Sequence, residues 1–190
     1  GDIIASVLTC IVGTEPETSF GQPTGRMASE CAWNLRKFAG ADGAQSAFVD
    51  LPATVWAGEV RVDNNNNVYT GGSYTGTTDF GNGIVKTTTA MDSRGNPGSS
   101  FFVAKYNSAG VAQWVSTSET LYSSLGDLDL NDDGSTLAYI VSTSGNPVTL
   151  QGGVTLSNEH GGFVGRLDPA TGNALWATSM PGMRGVESTE

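Results

Sequence analysis

Apolar residues recur at every second position over short stretches of this chain. Val60, Val62, Val68 and Thr70 alternate with polar neighbours, and so do Leu128 and Leu130, and Phe102, Ala104 and Tyr106. A period of two is the signature of a strand with one face buried. Clusters of Asp, Asn, Gly, Ser and Pro punctuate these runs at 63–67, 81–83, 108–110, 132–134 and 168–172. Such residues favour turns because they reach left-handed backbone or bond to their own main chain. The expected elements are therefore short strands joined by tight turns. Residues 27–35 are the best candidate for a helix, and they fit a strand entry equally well. In the middle of the chain, strands are expected at 58–63, 67–74, 99–106 and 111–117. Between them, 79–98 reads as a long loop or an extra hairpin, extended near 84–88.

The pattern repeats. Ala32-Trp33-Asn34-Leu35-Arg36-Lys37-Phe38, Phe101-Phe102-Val103-Ala104-Lys105-Tyr106 and Gly162-Phe163-Val164-Gly165-Arg166-Leu167 are three versions of one segment. Each leads through a Gly-containing turn to an aromatic residue, at Phe48, Trp114 and Trp176. Lys37 to Lys105 is 68 residues and Lys105 to Arg166 is 61. Phe20-Gly21 returns as Phe80-Gly81 and more loosely as Leu150-Gln151-Gly152; Gly58-Glu59-Val60 returns as Gly126-Asp127-Leu128 and begins again near Gly185-Val186-Glu187. Landmarks that keep one phase define a structural repeat. The units are 1–54, which lacks its first strand, then 55–120 and 121–181, with 182–190 as the first strand of a further or closing unit.

Four antiparallel strands per repeat, arranged radially, describe a β-propeller blade. The middle unit carries Val68-Tyr69-Thr70-Gly71-Gly72-Ser73-Tyr74, then Asp79-Phe80-Gly81, then Phe101-Phe102-Val103-Ala104-Lys105-Tyr106, then Gln113-Trp114. In that order the pieces resemble the SBBP-type, seven-bladed-propeller-like repeat family. The stretch from Asp168 to Trp176 is similar to the Trp-docking segment of quinoprotein-like propellers. The first unit departs most, with Phe48 in place of Trp and no Asp before Phe20. The resemblance implies an all-β fold, a partial β-propeller of about three four-stranded antiparallel blades. It implies no substrate. Closed propellers have about 4 to 8 blades, so two explanations stand: a piece of a longer propeller, which is favoured, or two copies completing one ring.

Composition narrows the function. Nine basic against 19 acidic residues leave a net charge of −10, and the only lysines are Lys37, Lys86 and Lys105. Nucleic acid binding needs a basic footprint that is missing here, and anionic membrane surfaces are disfavoured for the same reason. The longest apolar run, 3–12, is too short to span a bilayer and lacks the basic start of a signal peptide. His160 is the single histidine, which excludes zinc sites built on several histidines. In its polar loop it reads as solvated rather than catalytic. There is no G-x-S-x-G, P-loop, G-x-G-x-x-G or C-x-x-C motif.

A few residues carry chemistry. Asp129, Asn131 and Asp133, with Gly134, match the D-x-N-x-D-G opening of a calcium loop, but Ile140 stands where the bidentate acid belongs. The same residues make an ordinary polar β-turn, so either no cofactor or calcium is expected. Residues 63–67 occupy the same place in their unit with one carboxylate. Cys10 and Cys31 fall on strands expected to be neighbours, as a disulfide suited to an extracellular chain or as two buried thiols. Trp114 and Trp176 hold the repeated position and read as packing between blades. Trp56 stands outside it and is the better candidate for an exposed, ligand-stacking aromatic. The expectation is a non-enzymatic scaffold or protein-interaction module, extracellular or on the cell surface, within a larger surface assembly or filament. Its partners would be other proteins or further blades of the same protein. The alternatives are a carbohydrate-binding propeller and a fragment of a propeller enzyme with its site in the central funnel.

Overall fold

The computed structural model describes residues 3–19, 22–88, 91, 95, 98–118, 122–131, 133–143, 147–156 and 161–180, and their side chains except at 9–19, 22–31, 46 and 47. His160, Asp132 and 182–190 lie outside the described residues. Among those described, every regular element is a strand. The 27–35 stretch is part of one.

The strands form three principal antiparallel sheets in chain order. Sheet 1 is β1 (Ile3–Ser19), β2 (Gln22–Phe38) and β3 (Gln45–Asp50). Sheet 2 orders β4 (Val55–Val62), β5 (Val68–Thr75), β8 (Ser99–Tyr106) and β9 (Ala112–Thr117), with a small hairpin of β6 (Thr77–Asp79) and β7 (Val85–Thr87) between β5 and β8. Sheet 3 orders β10 (Ser123–Leu130), β11 (Leu137–Thr143), β14 (Gly161–Leu167) and β15 (Ala174–Ser179), with the hairpin β12 (Val148–Thr149) and β13 (Thr155–Leu156) at the corresponding place. The extra hairpin expected within 79–98 starts earlier, at 77–87, and residues 89, 90, 92–94, 96 and 97 of that segment lie outside the described residues.

The sheets share cores through opposite faces. Along β8, Phe102, Ala104 and Tyr106 join a buried cluster with Leu35 and Leu51 of the first unit. Phe101 and Val103 point the other way, into a cluster with Leu128, Leu137, Tyr139 and Phe163 of sheet 3. Alternation along a strand makes this possible, and it leaves sheet 2 covered on both faces. Aromatic trios anchor each core. Tyr74, Phe80 and Phe102 lie 5.0–6.5 Å apart by ring centroid on one side. Phe101, Tyr139 and Phe163 lie 5.8–6.0 Å apart on the other. Both separations suit edge and offset contacts. Phe80 and Leu150, the paired landmarks of the sequence, turn out to be hairpin residues that plug one core each.

The Gly-acid-apolar landmark also has a structural cause. The β4–β5 register shifts between Ala57 and Glu59, and the β10–β11 register shifts between Leu125 and Asp127. Gly58 and Gly126 are the extra residues of matching β-bulges, which bend the strand at a sheet edge.

Candidate functional site

Trp56 is 49% exposed on β4, as its place outside the repeated position suggested. It borders an open cleft of about 200 Å³, shared with Trp33 of β2, Glu59 of β4, Ser73 of β5 and Ser124 and Leu125 of β10. Two glycines make the floor. A Cβ on Gly72 would lie 1.8 Å from the Trp56 carbonyl oxygen, and one on Gly71 would lie 2.4 Å from Leu125 Cδ2 and 2.9 Å from the Phe102 carbonyl oxygen. Only glycine lets these backbones approach so closely. An indole face offers stacking area, and the carboxylate and hydroxyls beside it offer hydrogen bonds.

Next to the cleft, Arg61 stands among three carboxylates. It meets Glu59 at 3.1 Å, Asp127 at 3.6 Å and Asp129 at 3.9 Å. It therefore ties β4 to β10 across the gap between sheets 2 and 3. Each such partly exposed pair is worth about 1 kcal/mol or less. The sequence reading missed this cluster, because its members come from two units and meet only through packing.

The residues of the calcium pattern are engaged locally. Asp129 faces Arg61. Asn131 Oδ1 accepts from Thr136 N at 2.7 Å, and Asp133 Oδ1 accepts from Ser135 N at 2.8 Å. Hydrogen bonds to Asp133 from the Ser135 side chain, the Ser135 backbone N–H and the Asn131 side chain hold its carboxyl below the usual range. Among the described residues, no group of three or more His, Cys, Asp or Glu is arranged to hold a metal ion. The turn at 63–67 uses its one carboxylate as a clamp. Asp63 is 8% exposed and accepts from Asn65 N, Asn67 N, Asn67 Nδ2 and Tyr69 Oη at 2.8–3.3 Å. Burial raises its pKa, but the bonds from Asn67, Asn65 and Tyr69 outweigh that and hold it below the usual value.

Cys10 and Cys31 are direct cross-strand partners in the β1–β2 register. Their side chains lie outside the description.

The repeated aromatics differ among themselves. Trp114 is 7% exposed, and its Nε1 donates to Pro169 O at 3.1 Å in the β14–β15 turn. Lys105, its cross-strand partner, donates to the same oxygen at 3.1 Å. A Cβ on Gly172 would sit 2.5 Å from the Trp114 ring, so the turn glycine is the seat of the indole. The expected packing between units is present here. Among the described residues it is absent at Trp176, which is 47% exposed. Phe48 is half-buried and packs on the core between sheets 1 and 2. Its position differs from that of the tryptophans: it is itself the extra residue of the β2–β3 bulge, whereas Trp114 and Trp176 follow theirs. Its carbonyl nonetheless lies against the next turn glycine, 2.5 Å from where a Cβ of Gly110 would be.

Compared with family models, curated proteins and solved structures, the chain matches none.

Proposed function

We propose that this chain is a non-enzymatic interaction scaffold of a secreted or cell-surface protein, a partial β-propeller in which each sheet is one blade of an SBBP-like repeat. The observation that carries this reading is the face-to-face stacking of repeated sheets, with both faces of sheet 2 covered and, among the described residues, no further sheet on the outward faces of sheets 1 and 3. Two shared cores fix the sheets against one another, and the open end faces are offered to partner chains or further blades. A disulfide between Cys10 and Cys31 fits this setting. Directly paired antiparallel residues have Cα atoms about 4.5–5.5 Å apart, inside the disulfide range of about 4.4–6.8 Å. The test is size-exclusion chromatography of native extract carrying single substitutions. Trp176→Asp on the end face is expected to strip co-eluting chains from the protein, while Trp56→Ala leaves them. Unchanged co-elution with Trp176→Asp would overturn the reading.

A second reading rests on the cleft. Trp33 and Trp56 beside Glu59, Ser73 and Ser124 suit a single sugar ring, stacked on an indole and held by hydrogen bonds. A pocket below the usual 300 Å³ or so of small-molecule sites fits nothing larger. Binding on a glycan panel that Trp56→Ala abolishes would support it.

A further inference from the structure

The join between sheets 2 and 3 is a clamp on one carbonyl. Lys105 Nζ and Trp114 Nε1 converge on Pro169 O, with Gly172 beneath the indole. At the same register of sheet 3, the cross-strand partners are Arg166 and Trp176. The donor pair is therefore repeated. Among the described residues no turn of another sheet seats on it: Trp176 is 47% exposed, and Arg166 keeps a buried Nε with no hydrogen-bond partner while its Nη2 donates to Ser135 O of the β10–β11 turn at 3.3 Å. The neighbouring row of the same face, Ile140–Val164–Thr178, is left half-buried or exposed. In sheet 2 the corresponding Val103 is fully buried in the shared core.

The opposite end of the chain carries the complementary half. Turn 39–44 is closed like turn 168–173. Ala39 N donates to Ala44 O at 3.0 Å and Gly43 N to Ala39 O at 2.8 Å; Asp168 N donates to Asn173 O at 2.9 Å and Gly172 N to Asp168 O at 2.8 Å. Gly43 and Gly172 share a left-handed φ, 70° and 73°. The place that Trp114 fills beside Gly172 is open at Gly43, where a Cβ would meet nothing within 4 Å. Behind this turn, Ile3, opposite Phe38 in the register, is 64% exposed. The corresponding pair in sheet 3, Leu137 and Leu167, is buried in the core shared with sheet 2. Charge agrees as well. Asp42 is exposed on turn 39–44 and Arg166 stands on the donor side; the internal join also sets a cation against a turn acid, Lys105 near Asp168, although Asp168 holds the place of Ala39 rather than of Asp42.

We propose that the Arg166–Trp176 face of sheet 3 takes turn 39–44 and the open face of sheet 1 of a second copy of this chain, head to tail, reusing the join made between sheets 2 and 3. This rests on the reading of the end faces as partner surfaces. Such a contact is heterologous, so it extends into a ring or a filament.

The test is sedimentation velocity on the full chain from about 1 to 300 µM, a span that covers the affinities of small interfaces. The wild type is expected to gain mass with concentration. Trp176→Ala, Arg166→Glu and Asp42→Lys should each weaken association about tenfold or more, and the Arg166→Glu/Asp42→Lys double variant should recover most of it. Trp176 and Asp42 are exposed, so loss of association there is not loss of folding; circular dichroism checks this for Arg166→Glu. A wild type that stays monomeric throughout overturns the proposal. So does association that Trp176→Ala leaves untouched, or that the charge swap fails to restore. A monomer whose native co-eluting chains still vanish with Trp176→Asp overturns self-pairing while leaving the interaction scaffold standing.

Discussion

Trp114→Ala and Trp176→Ala remove the same side chain from the same register of successive sheets, yet they should differ severalfold in cost. Trp114 is 7% exposed, wedged between Tyr69, 6.1 Å away by ring centroid, and the turn glycine Gly172. Truncating a buried large aromatic costs about 3–5 kcal/mol, because transfer and cavity contributions add. The cavity left here collapses poorly, since its far wall is turn backbone. The lost Nε1 bond adds little, about 1 kcal/mol at most, because Lys105 still satisfies Pro169 O. A cost of about 4 kcal/mol follows, and for a chain of this size each kcal/mol moves Tm by about 2–4 °C, giving roughly 8–16 °C. Trp176→Ala, at a half-exposed position, should cost about 1 kcal/mol or less, a few degrees. The assay is thermal and urea unfolding at about 1 µM, where mass action favours the free chain. Trp114→Phe, which keeps most of the ring and loses the donor, should fall between. Equal losses for the two alanine variants, or a Trp114→Ala cost near 1 kcal/mol, would refute the inter-sheet join as an energetic feature.

Three other expectations concern stability. Gly172→Ala puts a methyl into the Trp114 ring as well as straining a left-handed residue, so it should destabilise several times more than Gly43→Ala, which suffers the backbone strain alone at about 1–2 kcal/mol; chemical denaturation of both decides. Asp63→Ala should cost on the order of 2 kcal/mol at neutral pH by leaving partly buried donors of the turn and the buried Tyr69 hydroxyl unpaired. Because the folded pKa of Asp63 lies below its usual value, the stabilisation is complete above that usual value, about 3.9. It fades as pH falls through the lower folded value, so the gap between variant and wild type should close below about pH 4; a gap that persists or widens in acid would contradict the clamp. Tyr139 is 1% exposed and, among the described residues, its hydroxyl has no hydrogen-bond partner. Tyr139→Phe should therefore be neutral or stabilising by about 1 kcal/mol in urea melts.

Much of this architecture is local, and so the sequence alone determined it. Strand alternation, turns rich in Asp, Asn and Gly, and the recurrence of Lys37, Lys105 and Arg166 depend on steric preferences of neighbouring residues. They place three antiparallel sheets, the first lacking one strand, and in the middle unit strand bounds close to those observed. The Gly58 and Gly126 landmarks were legible too, although their cause, a bulge in each first strand, appears only in the pairing register. What the tertiary structure decided depends on neighbours. Phe101 and Phe102 are adjacent and alike in sequence, yet they feed different cores because a sheet lies on each side of β8. Trp114 and Trp176 occupy equivalent positions, and one is buried while the other is open, because among the described residues only the first has a following turn to receive it. The cleft joins Trp33, Trp56 and Ser124, and the charge cluster joins Arg61 with Asp127 and Asp129. Repeat periodicity says which residues are equivalent. Burial and partnership follow from which sheet lies against which, and no local pattern encodes that.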